Sequence, residues 1–239
     1  MTCHLLIPAA GSGKRMGGDR NKLLLPLLGK PILQWTLEAA LKSELIDWIG
    51  LLCQPHDREP FKQIIGEILE QSNTSKSIAL IQGGETRQDS VYNGLQALPD
   101  HATYVLIHDG ARCLATPDLF DRCAEAVKIY SGLIAAVPVK DTIKIVENGI
   151  VIDTPNRDRL WAAQTPQGFH VAPLKAAHAK GRTQQLSVTD DAALFEHIGL
   201  SVQIVDGEET NLKITTPQDL SIAEFILQNR YYKVSPRTN

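Results

Sequence analysis

A cluster of residues near the start of the chain has the types and spacing to hold a phosphate. In "LLIPAAGSGKRMG", residues 5–17, an apolar run ends in Ala9 and Ala10, then in a turn carrying Gly11 and Gly13, with Arg15 close behind and Lys22 further on. Glycines at such a turn let backbone N–H groups approach phosphate oxygens without side-chain interference. Arg15 adds a forked donor and Lys22 a compact charge. Two cations beside a polyphosphate suit stabilisation of charge at phosphorus and on a departing pyrophosphate. Two familiar phosphate loops are excluded. A P-loop needs glycine at position 8 and Ser or Thr after Lys14, where this chain has Pro8 and Arg15. The dinucleotide fingerprint needs a small third residue, and Met16 stands there.

The elements that must carry this loop are legible as an alternation. "HLLIPA", "IDWIGLLC", "SIALIQ", "TYVLIHD" and "GLIAAVPV" read as strands, and "LSVQIV" and "LKIT" as later β-prone runs. Helical patterns fall at 31–43, within 56–70, at 86–98, at 117–130, near 172–181, near 189–198 and from Pro217. Such alternation predicts an α/β fold: a Rossmann-like, doubly wound, mostly parallel sheet with helices on both faces. The rhythm breaks at about 140–160, where two short β-prone runs flank Asn148-Gly149, a type I′ hairpin signal. From pattern alone it reads as an edge hairpin; the alternative is an arm reaching a partner subunit.

Composition sets the outer bounds. The 239 residues are 43% hydrophobic and 21% charged, which suits a soluble globular chain with a substantial core. A net charge of −3 leaves no electrostatic footprint for nucleic acid, so an anion site must be built locally. The four cysteines are scattered without a CxxC pair, which fits reduced thiols rather than a disulfide frame or zinc site. No apolar run is long enough to span a membrane, and the opening residues lack a signal-peptide pattern. A cytoplasmic location is expected.

Further along stand "GGETRQDSV" at 83–91, "HDGAR" at 108–112, "DT" at 141–142, "NRDRLWAAQTPQ" at 156–167, "VTDDA" at 188–192 and "NLKIT" at 211–215. The glycine loop resembles the signature of the sugar-nucleotidyltransferase superfamily. All the motifs together, in order and over nearly the whole chain, resemble its 2-C-methyl-D-erythritol 4-phosphate cytidylyltransferase family. Asn21 and Cys113 stand where that family more often has proline.

The resemblance implies an enzyme that transfers CMP from CTP to 2-C-methyl-D-erythritol 4-phosphate with release of pyrophosphate. The alternative on the same fold is a pentitol-phosphate (ribitol 5-phosphate) cytidylyltransferase. Asp109 follows a strand, where a carboxylate suits Mg²⁺ or another divalent cation bridging triphosphate oxygens, or else caps the next helix. The resemblance favours the metal, with Arg112 as a structural or phosphate-side charge. It implies catalytic roles for Arg15, Lys22 and Lys213. It places the nucleotide on Ala9, Ala10, Gly11, Gly13, Arg15, Lys22, Gly83, Gly84, Glu85, Ser90 and Asp109, with backbone groups at 83–85 reading cytosine. The second substrate falls to Asp109, Thr142, Arg157, Thr165, Thr189, Asp190 and Lys213. Thr189 as a helix cap, Ser90 as a helix-start hydroxyl and Arg87 as a solvated charge are the plainer readings. The resemblance also implies one domain over 1–239 whose arm at about 140–160 crosses to a second subunit in a homodimer, carrying Thr142 and Arg157 into the neighbour's site.

Overall fold

The computed structural model describes residues 3–11, 20–72 and 74–232. Among them the chain runs β1 (Cys3–Pro8), β2 (Pro26–Leu27), β3 (Lys30–Pro31), α1 (Ile32–Lys42), β4 (Ile46–Cys53), α2 (Arg58–Gln71), β5 (Ser77–Gln82) and α3 (Arg87–Gln96). It continues through β6 (Tyr104–Ile107), α4 (Pro117–Ala126), β7 (Gly132–Pro138), β8 (Ile145–Glu147), β9 (Ile150–Asp153) and β10 (Trp161–His170). The last elements are α5 (Val171–Thr183), α6 (Asp191–His197), β11 (Gln203–Asp206) and α7 (Pro217–Tyr232).

Seven strands form the main sheet in the order β11-β7-β10-β6-β1-β4-β5. All neighbouring pairs are parallel except those of β10, which runs antiparallel to both β6 and β7. The strands are continuous apolar runs because both faces are covered. Leu5 and Ile7 point into one buried layer and Leu6 into the other, as the two-residue strand period dictates. The first layer includes Phe61 of α2, Phe120 of α4 and Leu227 of α7, whereas the second includes Leu95 of α3, Leu174 of α5 and Phe195 of α6. The doubly wound α/β expectation is met. The four cysteines are free and buried.

One local expectation is corrected, and two elements appear that the sequence pattern does not mark. Strand β10 fell in a stretch read as motif rather than strand, because Pro166 and Gly168 are poor strand residues. Proline lacks the ladder N–H, and the pairing with β7 accordingly shifts register between Ala163 and Gln167. The segment "LKIT" at 212–215 is irregular chain, not a strand. The small hairpin β2–β3 was not anticipated; it turns through Leu28 at φ +50° and Gly29 at φ +79°.

The hairpin around Asn148-Gly149 is present. Its two central residues take φ +49° and +80°, both positive as a type I′ turn requires. Strands β8 and β9 form a sheet of their own, outside the main one. They lie between β7 and β10, so the segment is a long excursion between two antiparallel neighbours of the main sheet.

Candidate functional site

The order of the parallel strands fixes where a ligand can sit. From β1 the chain moves to β4 and β5 on one side, then returns to place β6 on the other side of β1. The carboxyl ends of β1 and β6 therefore flank the topological switch point, the usual ligand crevice of an open α/β sheet. Ala9 to Gly11 leave β1 there, and His108-Asp109 leave β6.

The turn after β5 closes against the same place. A Cβ on Gly83 would lie 2.6 Å from that of Ala10, so only glycine allows this approach. A Cβ on Gly84 would lie 2.3 Å from Asp89 Cβ. The buried Ser90 hydroxyl accepts from the Gly84 N–H at 3.0 Å and donates to the Thr86 carbonyl at 2.9 Å. Ser90 thus shapes the turn from the first turn of α3, as its plainer reading had it. Glu85 is exposed.

Asp109 is the electrostatic centre. Arg87 Nε lies 3.0 Å from Oδ1 and Lys213 Nζ 2.6 Å from Oδ2. Burial alone pushes this carboxyl up, but Arg87 and Lys213 more than offset that and hold it far below the usual carboxylate range. Asp109 does not cap the next helix, because Thr116 caps α4. Its backbone N–H donates to Thr165 Oγ1 at 3.0 Å, and Thr165 Oγ1 lies 3.1 Å from His108 Nδ1. His108 Nε2 is 3.1 Å from the Arg112 carbonyl. A consistent proton assignment has Nε2–H donating to that carbonyl and Nδ1 accepting from Thr165. Burial pushes the His108 imidazole down to about 4, so it is neutral near pH 7.

Arg87 is the residue that sequence reasoning undervalued. It is not a solvated charge: its NH1 also lies 2.7 Å from Oδ2 of Asp191, whose side chain is 1% exposed. Asp191 Oδ1 in turn lies 3.0 Å from Nε2 of the buried His178. The guanidinium thus ties the ends of β6 and α6 together. Arg87 lies 22 residues from one partner and 104 from the other, so no local pattern reports the bridge. The available signal was its place in the first turn of a helix beside "GGE", facing the crevice.

Lys22 and Lys213 meet at adjoining points. Lys22 Nζ donates to the Ile214 carbonyl at 2.7 Å, one residue beyond Lys213. The Ile214 N–H is itself pinned to the Ala111 carbonyl at 2.9 Å. Arg112 has a structural role, donating to the Asn211 carbonyl at 2.6 Å and the Ala163 carbonyl at 3.3 Å. Asn211 reaches the Thr165 carbonyl at 2.9 Å, so the segment bearing Lys213 is fastened to β10 and to the loop after β6.

The structure therefore brings together Ala9, Ala10, Gly83, Gly84, Ser90, Asp109, Thr165 and Lys213, with Lys22 adjoining. Gly13 and Arg15 lie outside the described residues. Asp190, rather than Thr189, caps α6: Oδ1 accepts from the Ala193 N–H at 3.0 Å and Oδ2 from Gln167 Nε2 at 2.9 Å. Thr189 is exposed. Thr142 and Arg157 are exposed on the excursion, and Arg157 NH1 donates to the Lys140 carbonyl at 2.7 Å. Neither contacts Asp109 among the described residues.

A divalent cation fits this donor set in one manner. Among the described residues no group of three or more His, Cys, Asp or Glu could cage a metal. Asp109 offers a single ionised carboxylate at the crevice. That matches Mg²⁺ held mostly by substrate phosphates and water, with one carboxylate from the protein.

An open α/β sheet with a glycine turn, a carboxylate and two lysines at its switch point is the architecture of an enzyme that handles nucleotide phosphates. The family model for 2-C-methyl-D-erythritol 4-phosphate cytidylyltransferase (IspD) matches residues 3–229. The chain belongs to that family. It is 65% identical over 228 residues to the 2-C-methyl-D-erythritol 4-phosphate cytidylyltransferase of Microcystis aeruginosa, covering 95% of this chain and 99% of that one. Among solved structures it superposes with a TM-score of 0.84 on 4-diphosphocytidyl-2C-methyl-D-erythritol synthase from Anaerococcus prevotii, at 32% identity over 95% of this chain and 96% of that one. The 2-C-methyl-D-erythritol 4-phosphate cytidylyltransferase of Thermus thermophilus gives a TM-score of 0.77 at 32% identity, covering 95% and 100%. Among the described residues no helix is long and apolar enough to cross a membrane.

Proposed function

We propose that this chain transfers the cytidylyl group of CTP to 2-C-methyl-D-erythritol 4-phosphate, giving 4-diphosphocytidyl-2-C-methyl-D-erythritol and pyrophosphate. An oxygen of the sugar phosphate attacks the α-phosphorus in line and forms a new P–O bond. The bond from that phosphorus to the bridging oxygen breaks, and pyrophosphate leaves with the electron pair. A phosphate monoester dianion is already nucleophilic, so orientation and charge neutralisation are the catalytic tasks.

The observation that supports this most directly is Asp109, ionised and gripped by Arg87 and Lys213 at the switch point. In this reading Lys213 neutralises charge between the two phosphates, and Lys22 and Arg15 meet the triphosphate. Asp109 would hold Mg²⁺ or another divalent cation, which would supply charge neutralisation to the triphosphate. Backbone groups at Gly83, Gly84 and Glu85 read cytosine, and the Ser90 hydroxyl keeps their turn in shape. Thr165 orients the Asp109 backbone through its hydroxyl.

The excursion at about 140–160 is read as a dimerisation arm of a single nucleotidyltransferase domain, working in the cytoplasm. Its support is the apolar surface it carries: Ile150 is 69% exposed, and Ile145, Val146, Val151 and Ile152 are exposed beside it. In a homodimer the arm brings Thr142 and Arg157 to the neighbour's sugar phosphate, where Arg157 holds the phosphate through paired donors. Thr189 completes that pocket with its hydroxyl, and Asp190 shapes it by capping α6.

Product analysis tests the assignment. Incubation with CTP, Mg²⁺ and methylerythritol phosphate should give a diphosphate diester of the expected mass with its paired ³¹P signals. A diester formed from ribitol 5-phosphate and not from methylerythritol phosphate would overturn the acceptor.

A further inference from the structure

We infer that Asn21 is a positioning residue for the transfer reaction, setting the place of Lys22 through a buried clasp between the end of β1 and the start of α2. The inference rests on the reading of Lys22 as a triphosphate contact.

Asn21 is 4% exposed, and its carboxamide is almost fully used. Nδ2 donates to the Ala9 carbonyl at 2.8 Å and to Asp57 Oδ2 at 2.8 Å. Oδ1 accepts from the Leu23 N–H at 3.1 Å. With two acceptors on one side and a donor on the other, only one orientation of the amide satisfies all three. Ala9 leaves β1, and its own N–H is held by the Leu52 carbonyl of β4 at 2.8 Å. The clasp therefore ties the backbone on either side of Lys22 to the end of β1 and the start of α2.

Asp57 supplies an independent observation. It ends the 3-10 turn Pro55–Asp57, which runs into α2 with helical backbone angles, and its side chain makes no cap bond. It is 4% exposed and reaches back 36 residues to Asn21 instead. The buried carboxylate is directed at the Asn21 amide.

The consequence falls on Lys22. Its backbone starts a short 3-10 turn, Lys22–Leu24, whose cap is Asn21. Its ammonium is anchored at the far end on the Ile214 carbonyl. Leu23, 3% exposed, seats the turn beside Gly110, where a Cβ would lie 2.9 Å from Leu23 Cδ1. A shift of about 1 Å in a reacting contact can cost on the order of 10²-fold in rate, so a clasp at the base of Lys22 has catalytic leverage without touching substrate.

The variant Asn21→Asp keeps the shape and the bond to the Leu23 N–H, but turns a carboxylate toward Asp57 and the Ala9 carbonyl. Pyrophosphate-release kinetics would be measured for wild type, N21D, D57A, K22A and K22A/N21D, with thermal melts confirming folding. N21D should lower kcat/KM for CTP about 10-fold or more while the KM for the sugar phosphate moves less than about 2-fold. D57A should act in the same direction more mildly. In the K22A background N21D should add less than about 2-fold, because both changes act through one side chain.

Three results would overturn the inference: N21D and D57A both within about 2-fold of wild type on CTP, equal losses on the two substrates, or the full N21D loss repeated in K22A. If N21D does not fold, D57A decides by the same criteria. A K22A enzyme with wild-type turnover would sink the reading of Lys22 and this inference together, whereas an impaired K22A with an additive N21D sinks the inference alone.

Discussion

Asp109 is held by cations on both of its oxygens, and one of them, Arg87, has a second attachment. Arg87 is the more consequential, because it also neutralises the buried Asp191. Arg87→Ala would leave the buried Asp191 carboxylate without its guanidinium and Asp109 with Lys213 alone, a change that typically costs about 3–5 kcal/mol. Urea unfolding should show that loss, and a variant as stable as wild type would contradict the bridge. Lys22→Ala and Arg15→Ala should each lower turnover at least about 10²-fold, the scale of removing one donor from a developing oxyanion. Near wild-type turnover in either at saturating substrates would remove that residue from catalysis. Some of this was legible in sequence. Asp109 and Lys213 stand in compact motifs, whereas the Arg87 bridge joins residues that only the folded sheet brings together. Asp190 rather than Thr189 takes the cap because its carboxylate receives both the Ala193 N–H and the Gln167 amide.

At the scale of elements, the parallel strands announce themselves as uninterrupted apolar runs because helices cover both faces. Strand β10 does not. Gln164, Thr165, Pro166 and Gln167 interrupt any apolar pattern, and they do so where the strand bends out of register to set Thr165 against His108. The site requirement overrides the strand pattern at that point. The β8–β9 hairpin was legible from Asn148-Gly149, whereas turn chemistry says nothing about what covers its strands. If the arm makes the proposed dimer contact, replacing Ile150 and Ile152 by glutamate should convert the dimer to a monomer in sedimentation, because charge would enter an apolar contact. An unchanged dimer would place the interface elsewhere. Arg157→Ala should raise the KM for the sugar phosphate more than that for CTP, and an unchanged sugar-phosphate KM would remove Arg157 from the pocket.

The whole molecule carries a further consequence of building the crevice around buried groups. His108 is 0% exposed and its imidazole is pushed down to about 4, against about 6.5 for an unfolded histidine. Between those values the unfolded chain takes up a proton that the folded form refuses. Stability therefore falls as pH drops from about 6.5 to about 4, by up to about 3 kcal/mol from this group. Burial also lowers His4, which adds to the same slope. Asp109 and Asp191 have the opposite shift: their stabilisation is present above the ordinary carboxylate range and is lost only in stronger acid, as pH falls through their depressed values. In the absence of nucleotide and metal, the urea midpoint of the wild type should fall across the histidine window, and His108→Asn should flatten that fall. Equal slopes in the two proteins would contradict a neutral, buried His108.

In the proposed function, one crevice built at the switch point of β1 and β6 joins CTP to a methylerythritol phosphate. The most direct measurement is steady-state pyrophosphate release from CTP and Mg²⁺ with no acceptor, with 2-C-methyl-D-erythritol 4-phosphate, and with ribitol 5-phosphate. Release that depends on methylerythritol phosphate, with little from the pentitol phosphate, is the predicted result. Release with ribitol 5-phosphate alone, or with neither acceptor from folded protein, would contradict the account.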